Sequence, residues 1–170
     1  GNTLFSTTPG GALVDQKGTL LGYPTGNATT VDFSGISELG ENAFYGNSNL
    51  TEVTIPASLE KIDAYAFANC VNLTTVKFES GCTLKTIEER AFEGSGLTSF
   101  KLPTTVESIG KYAFANCGKL TEFTFADTEN KLTLNSNAFY RSALVNITLP
   151  ANIAFEAKST SAFAECNSLL

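Results

Sequence analysis

Two sets of residues in the sequence are of types that could do chemistry: the adjacent carboxylates Glu88 and Glu89, and four cysteines, Cys70, Cys82, Cys117 and Cys166. Two carboxyls can hydrolyse a glycosidic bond when both face one cleft about 5 to 9.5 Å apart with their pKa values driven apart. Four cysteines can hold a metal or cycle as a redox pair when two of them stand as Cys-x-x-Cys or when histidines complete the set. No Cys-x-x-Cys occurs, and the chain has no His at all. Without His there is no Ser-His or Cys-His nucleophile pair, no usual proton shuttle at neutral pH and no imidazole ligand. The expectation is a protein that is not an enzyme and has no catalytic, cofactor-binding or metal-binding residues.

Cysteine spacing supports a structural reading. Cys70, Cys117 and Cys166 lie 47 and 49 residues apart, each three residues before a leucine of a regular series, Leu73, Leu120 and Leu169. Cys82 sits in a polar stretch outside that register. The leucine series is Leu50, Leu73, Leu97, Leu120, Leu144 and Leu169, at spacings of 23, 24, 23, 24 and 25 residues. A second series runs in step: Ala43-Phe44, Ala66-Phe67, Ala91-Phe92, Ala113-Phe114, Ala138-Phe139 and Ala162-Phe163, spaced 23, 25, 22, 25 and 24. Self-similarity at this period is the mark of a solenoid, because one copy cannot bury its own apolar side and must stack on the next.

Each series leucine opens a stretch of alternating apolar and polar residues, as in Leu50-Thr51-Glu52-Val53-Thr54-Ile55 and Leu97-Thr98-Ser99-Phe100-Lys101-Leu102, and Leu144 to Leu149 reads the same way. Alternation with β-branched residues predicts short strands, stacked in parallel about 4.8 Å apart. A further apolar pair follows each strand, for example Leu59 and Ile62 or Val106 and Ile109. The six Phe residues of the Ala-Phe steps should form one column inside the coil. Cysteines in one register are then two turns, about 10 Å, apart, beyond the roughly 7 Å limit for a disulfide, so buried free thiols are expected. Pro56, Pro103 and Pro150 lie 47 apart and alternate with longer polar loops at Glu79 to Thr83 and Ala126 to Lys131, so a pair of repeats is the larger unit.

Segments such as LTEVTIPASLEKIDAYAFANCVNL, from Leu50 to Leu73, and LTSFKLPTTVESIGKYAFANCGKL, from Leu97 to Leu120, resemble the BspA-type leucine-rich repeat of bacterial surface proteins. The resemblance covers roughly residues 28–170, about six repeats with the last one truncated. It implies a leucine-rich-repeat solenoid with a short parallel β-sheet on the concave face and irregular or short helical return segments on the convex face. Residues 1–27 form a separate N-terminal segment. Within it, about 11–24 reads as a β-hairpin turning at Gln16-Lys17-Gly18 and ending Tyr23-Pro24, a cap or the link from an upstream block. The C-terminal face is expected to lie open after Ser168-Leu169-Leu170, which in a solenoid is an association risk.

In such solenoids ligands meet the concave sheet. Alternation puts Glu52, Thr75, Ser99, Glu122 and Asn146 in one outward row and Asp32, Thr54, Lys77, Lys101, Thr124 and Thr148 beside them. The candidate binding residues are Glu52, Thr54, Thr75, Lys77, Ser99, Lys101, Glu122 and Thr124. Lys77 and Lys101 would fall on adjacent strands between Glu52 and Glu122, a small positive spot suited to an acidic ligand group. The rows lack an aromatic anchor, so a merely solvated face of β-formers is the competing reading. Tyr45, Tyr65, Tyr112 and Tyr140 adjoin the Ala-Phe steps on the return side, either as an aromatic contact patch or packed over neighbouring repeats with wet hydroxyls. Asn-x-Ser/Thr triplets at Asn27, Asn49, Asn72 and Asn146 read as repeat-turn residues.

A net charge of -6 and the lack of a basic stripe argue against nucleic acid as a partner. No apolar run approaches the roughly 20 residues of a membrane span, so membrane insertion of this segment is not expected. The chain begins with Gly rather than Met, which points to a trimmed or processed protein and leaves the parent's export signal open. The resemblance implies an exported, cell-surface or secreted repeat protein that binds a protein ligand, such as host matrix or another cell's surface, without a cofactor. A spacer holding another domain away from the envelope is the alternative, and glycan binding a third.

Overall fold

The computed structural model describes residues 4–8, 11–24, 31, 33, 36–127, 129–156 and 161–170; Asp32, Asn27 and the boundary expected at 27/28 lie outside them. The chain enters through β1 (Phe5–Thr7), β2 (Leu13–Asp15) and β3 (Thr19–Gly22), which pair in an antiparallel meander. The β2–β3 hairpin turns where the residues predict. Gly18 takes φ 81°, a left-handed backbone that costs glycine nothing, and Asp15 Oδ1 accepts from the N–H of Lys17 (2.8 Å) and Thr19 (2.9 Å). Those bonds, Thr19's foremost, hold the Asp15 carboxyl below its ordinary pKa. β1 has no alternating pattern in the sequence to announce it.

Two kinds of short strand then follow in each turn of the coil. One kind holds the second apolar pair: β4 (Glu38–Leu39), β6 (Lys61–Ile62), β8 (Thr86–Ile87), β10 (Ser108–Ile109), β12 (Leu132–Leu134) and β13 (Ile153–Phe155). The other kind follows the series leucines: β5 (Glu52–Ile55), β7 (Thr75–Phe78), β9 (Ser99–Lys101) and β11 (Glu122–Thr124). β3 pairs in parallel with β4, and the first kind continues from there as one nine-stranded sheet, β1-β2-β3-β4-β6-β8-β10-β12-β13. Its inward row, Leu39, Ile62, Ile87, Ile109 and Leu134, is at most 1% exposed.

The strands expected to make the main sheet are the less continuous set. β5 pairs with β7 and β9 with β11, both in parallel, but β7 and β9 do not pair. Phe78 stands edge-on to Phe100 at 5.8 Å and 78°, and the long loop Glu79 to Thr83 follows β7. Val76 and Phe78 stay half-buried. The strand expected at Leu144 to Leu149 is reduced to a single parallel bridge, Glu122 to Asn146, after which the chain leaves β11.

No helix occurs among the described residues, which corrects the helical return segments. Two residues per turn explain why. From Phe44 to Phe139 the positions two before and two after the column Phe take positive φ, as with Tyr65 (57°) and Asn69 (58°) around Phe67, Arg90 (56°) and Gly94 (65°) around Phe92, and Tyr112 (55°) and Asn116 (56°) around Phe114. A left-handed residue every four positions ends a right-handed helix before it can propagate. The backbone donors divide accordingly. Phe67 N–H reaches Ala91 O of the next turn at 2.7 Å, whereas Ala68 N–H bonds back to Tyr65 O at 3.0 Å, and the same division recurs at Phe92/Glu93 and Phe114/Ala115. A helix would keep all these bonds within the segment; here half of them stitch the stack.

The phenylalanine column stands as expected. Phe44, Phe67, Phe92, Phe114, Phe139 and Phe163 stack at centroid distances of 5.0–5.4 Å with rings within 6–9° of parallel. Phe100, Phe123 and Phe125 press their edges against it from the leucine-strand side. At the hairpin end Tyr23 covers Phe44 at 5.2 Å. Cys70, Cys117 and Cys166 are buried free thiols whose Sγ atoms donate to the carbonyls of Phe44, Phe92 and Phe139, one turn back. Alternate turns place Asn47, Ser95 and Ser142 in the same column, also buried.

Candidate binding surface

The eight candidate residues divide into two groups of four, because β7 and β9 are unpaired. On β5 and β7, Glu52 lies opposite Thr75 and Thr54 opposite Lys77; on β9 and β11, Ser99 lies opposite Glu122 and Lys101 opposite Thr124. The register within each pair is the one alternation predicts. Glu52 and Thr75 are half-buried and the other six exposed. The positive spot expected from Lys77 and Lys101 does not form as one unit. Lys77 Nζ bonds Glu52 Oε1 at 2.8 Å, and Lys101, across the unpaired junction, makes no ion pair with a described residue. With side chains 58% and 39% exposed, the Lys77–Glu52 pair contributes less than about 1 kcal/mol. Lys101 therefore presents its charge to solvent.

A recess of about 570 Å³ opens at the far end of this face. It lies between β11, continued by Phe125, and the stretch from Val145 to Pro150, where the chains part after the Glu122–Asn146 bridge. Glu122 and Thr124 line it together with Asp127, Ile147 and Leu149, which the repeat pattern did not single out. A smaller recess of about 410 Å³ continues past Asp127 to Glu129 and Asn152. A third, about 530 Å³, lies over the nine-stranded sheet; of its charges Lys85 pairs with Glu60 at 3.5 Å and Lys61 with Asp63 at 2.8 Å, while Glu38 accepts from Thr19 Oγ1 at 3.3 Å. The Asp63 bond also raises the Lys61 pKa.

The return side carries a ladder of side chains. Arg90 stacks over Tyr112 at 4.5 Å and Tyr65 at 6.0 Å while its NH1 bonds Glu93 at 2.8 Å. Asn137 donates to Tyr112 Oη at 2.9 Å, and Tyr140 donates to Glu165, which also takes Arg141 Nε at 2.6 Å. The bonds from Arg141 and Tyr140 lower the Glu165 pKa and raise their own. Of the tyrosines, Tyr65, Tyr112 and Tyr140 pack against side chains of neighbouring turns and Tyr45 stands 51% exposed, while the hydroxyls of Tyr45, Tyr112 and Tyr140 bond to side chains. Each ladder residue sits beside or within the left-handed backbone positions, so these contacts hold the return segment in its strained shape.

Glu89 pairs with Arg90 at 3.5 Å, and neither Glu88 nor Glu89 lines any of the three recesses. Burial pushes the thiol of Cys70 up to about 12 and that of Cys117 up to about 11, away from the thiolate a nucleophile needs. Among the described residues no group of three His, Cys, Asp or Glu side chains could hold a metal, and no helix is long and apolar enough to cross a membrane.

Six copies of the BspA type leucine rich repeat region match residues 29–170. Among solved structures, a leucine rich cell surface protein from Faecalibacterium prausnitzii is 23% identical with a TM-score of 0.64, covering 100% of this chain and 54% of its own. The pneumococcal vaccine antigen PcpA is 21% identical with a TM-score of 0.62, covering 92% of this chain and 51% of its own. A leucine-rich repeat protein from Bacteroides capillosus is 27% identical with a TM-score of 0.53, covering 72% of this chain and 92% of its own. The chain thus spans about half the length of the first two. A search of curated proteins gave no match.

Proposed function

Because this chain belongs to the BspA-type leucine-rich repeat family, we propose that it is a non-catalytic interaction module of an exported bacterial protein, binding a protein ligand on the face of β5, β7, β9 and β11. Repeats of this family are carried by bacterial surface proteins and generally bind proteins. One observation carries the choice of face. Glu52, Thr54, Thr75 and Lys77, then Ser99, Lys101, Glu122 and Thr124, stand in fixed cross-strand register over a continuous aromatic core, with Lys101 unneutralised. A surface ordered before contact loses little side-chain freedom on binding. The family's surface context supports a ligand on host matrix or another cell.

The test is capture from extracellular-matrix and epithelial surface proteins, comparing the chain with a variant in which Glu52, Lys77, Lys101 and Glu122 are changed to Ser. Saturable capture that the variant loses, while its far-UV spectrum and melting temperature stay unchanged, supports the reading. A folded chain that captures nothing contradicts it and favours a spacer that holds other domains away from the envelope.

A further inference from the structure

We propose that the recess between β11 and residues 145–149 receives an extended, positively charged segment of the protein ligand, which adds as a strand alongside Phe125, Thr148 and Leu149, beyond the Glu122–Asn146 bridge; this rests on the interaction reading above and names the partner's chemistry. Three independent features of the recess converge on that occupant.

The first is main-chain supply. The parallel ladder stops at the Glu122–Asn146 bridge. Beyond it neither the N–H nor the carbonyl of Phe125, Thr148 or Leu149 bonds to a described residue. Such backbone, continuing past a parallel bridge, is what an incoming extended chain uses, its own N–H and C=O carrying the ladder on at strand spacing. The second is the side-chain lining. Phe123 and Phe125 form an apolar floor, 5% and 8% exposed, Ile147 is half-buried, and Leu149 stands 38% exposed at the rim. An added strand points alternate side chains inward, so its inward positions must be apolar. The third is charge. Glu122 and Asp127 line the recess, Asp127 and Glu129 line its continuation, and neither lining contains a Lys or Arg. Basic residues flanking the apolar alternation match that rim.

The same features exclude the occupants that a repeat surface otherwise suggests. An acidic ligand group would meet three carboxylates, and a sugar would find no exposed aromatic ring to stack on, since both Phe rings lie under the floor. The volume of about 570 Å³ suits a few residues of chain.

The probe is the synthetic peptide acetyl-KTVTVTK-amide, titrated into the uniformly labelled chain and followed by backbone amide shifts at low salt. The expected result is saturable shifts confined to Phe123 to Phe125 and Val145 to Leu149. Replacing both lysines of the peptide by glutamate, or N-methylating its central valine, should each weaken binding about tenfold or more. On the protein side, the exposed changes Asp127→Lys and Leu149→Asp should do the same without altering the spectrum elsewhere. An N-methylated or acidic peptide that binds equally well, shifts that fall outside the recess, or no binding by any peptide overturns the proposal. If Asp127→Lys and Leu149→Asp leave capture of a matrix protein intact while the four-Ser variant abolishes it, the strand-addition proposal fails and the broader interaction reading stands.

Discussion

Truncating the phenylalanine column at its middle should cost far more than truncating it at its end. The Phe92 ring is 0% exposed, stacked between Phe67 and Phe114 at 5.2 Å on both sides and touched edge-on by Phe100 at 5.5 Å. Phe163 is half-buried with one stacked neighbour, Phe139, at 5.1 Å. Phe92→Ala removes a whole buried ring and leaves a void bounded by rigid aromatic walls, so the loss should lie near the upper end of the usual range, about 4–5 kcal/mol. Aromatic pairing beyond simple burial is part of that sum. Phe163→Ala removes a ring that water already touches and leaves no closed cavity, so about 1–2 kcal/mol is expected. A domain holds about 5–15 kcal/mol in all, so the first change puts the fold at risk and the second does not. Urea unfolding followed by far-UV circular dichroism measures both, with Phe92→Leu as a volume-sparing control that should fall between them. Equal costs at the two positions would refute the idea that the column is a continuous core whose strength lies in two-sided stacking.

Further outcomes follow from the thiols, the glycines and the return-side ladder. Burial holds the thiols of Cys70 and Cys117 at about 12 and about 11, whereas an unfolded thiol ionises near pH ~8.5. Between roughly pH 8.5 and 11 the unfolded chain therefore sheds protons that the folded chain keeps, so stability should fall as pH rises through that window and be unaffected by these groups below it. A Cys70→Ser, Cys117→Ser double variant, which copies the serines of alternate turns, should show a shallower fall in urea midpoint. A Cβ at Gly110 would meet the Glu88 carbonyl carbon at 2.6 Å and Glu89 N at 2.7 Å, so Gly110→Ala should destabilise by about 1–3 kcal/mol through a forced backbone shift; a calorimetric melt within 2 °C or so of wild type would contradict the close approach. Arg90→Lys keeps the charge but loses the flat stack on Tyr65 and Tyr112, and a loss of about 1 kcal/mol in the same melt is expected.

Much of this architecture was legible because a repeat reports itself several times over. The Ala-Phe and leucine spacings located the inward columns, and the alternation around Leu50 and Leu97 gave the register that β5, β7, β9 and β11 adopt. What escaped reading depends on contacts between turns. The pair Lys61-Ile62, or Ser108-Ile109, is too short to show alternation, yet it supplies the longest sheet because each copy pairs on both sides. The parting of β7 from β9 is a relation between neighbouring turns, which no single turn's sequence displays. The return segment reads as a helix candidate by composition around Ala-Phe. Its left-handed residues at Tyr65, Arg90 and Tyr112 are not glycines, and their side chains stack on one another between adjacent turns, a contact no single turn's sequence shows. The candidate surface was legible as eight positions but not as two groups of four, and the recess beside Leu149 arises where a well-patterned strand fails to pair.

Binding of ligand on the leucine-strand face would be read out by amide hydrogen exchange of the chain with and without a captured surface protein. Added protection is expected at β5, β7, β9 and β11 and along Val145 to Leu149, with the nine-stranded sheet and the return side unchanged. Protection confined to Lys61, Thr86, Ser108 and their sheet, or to the Tyr65–Arg90–Tyr112 ladder, would contradict it.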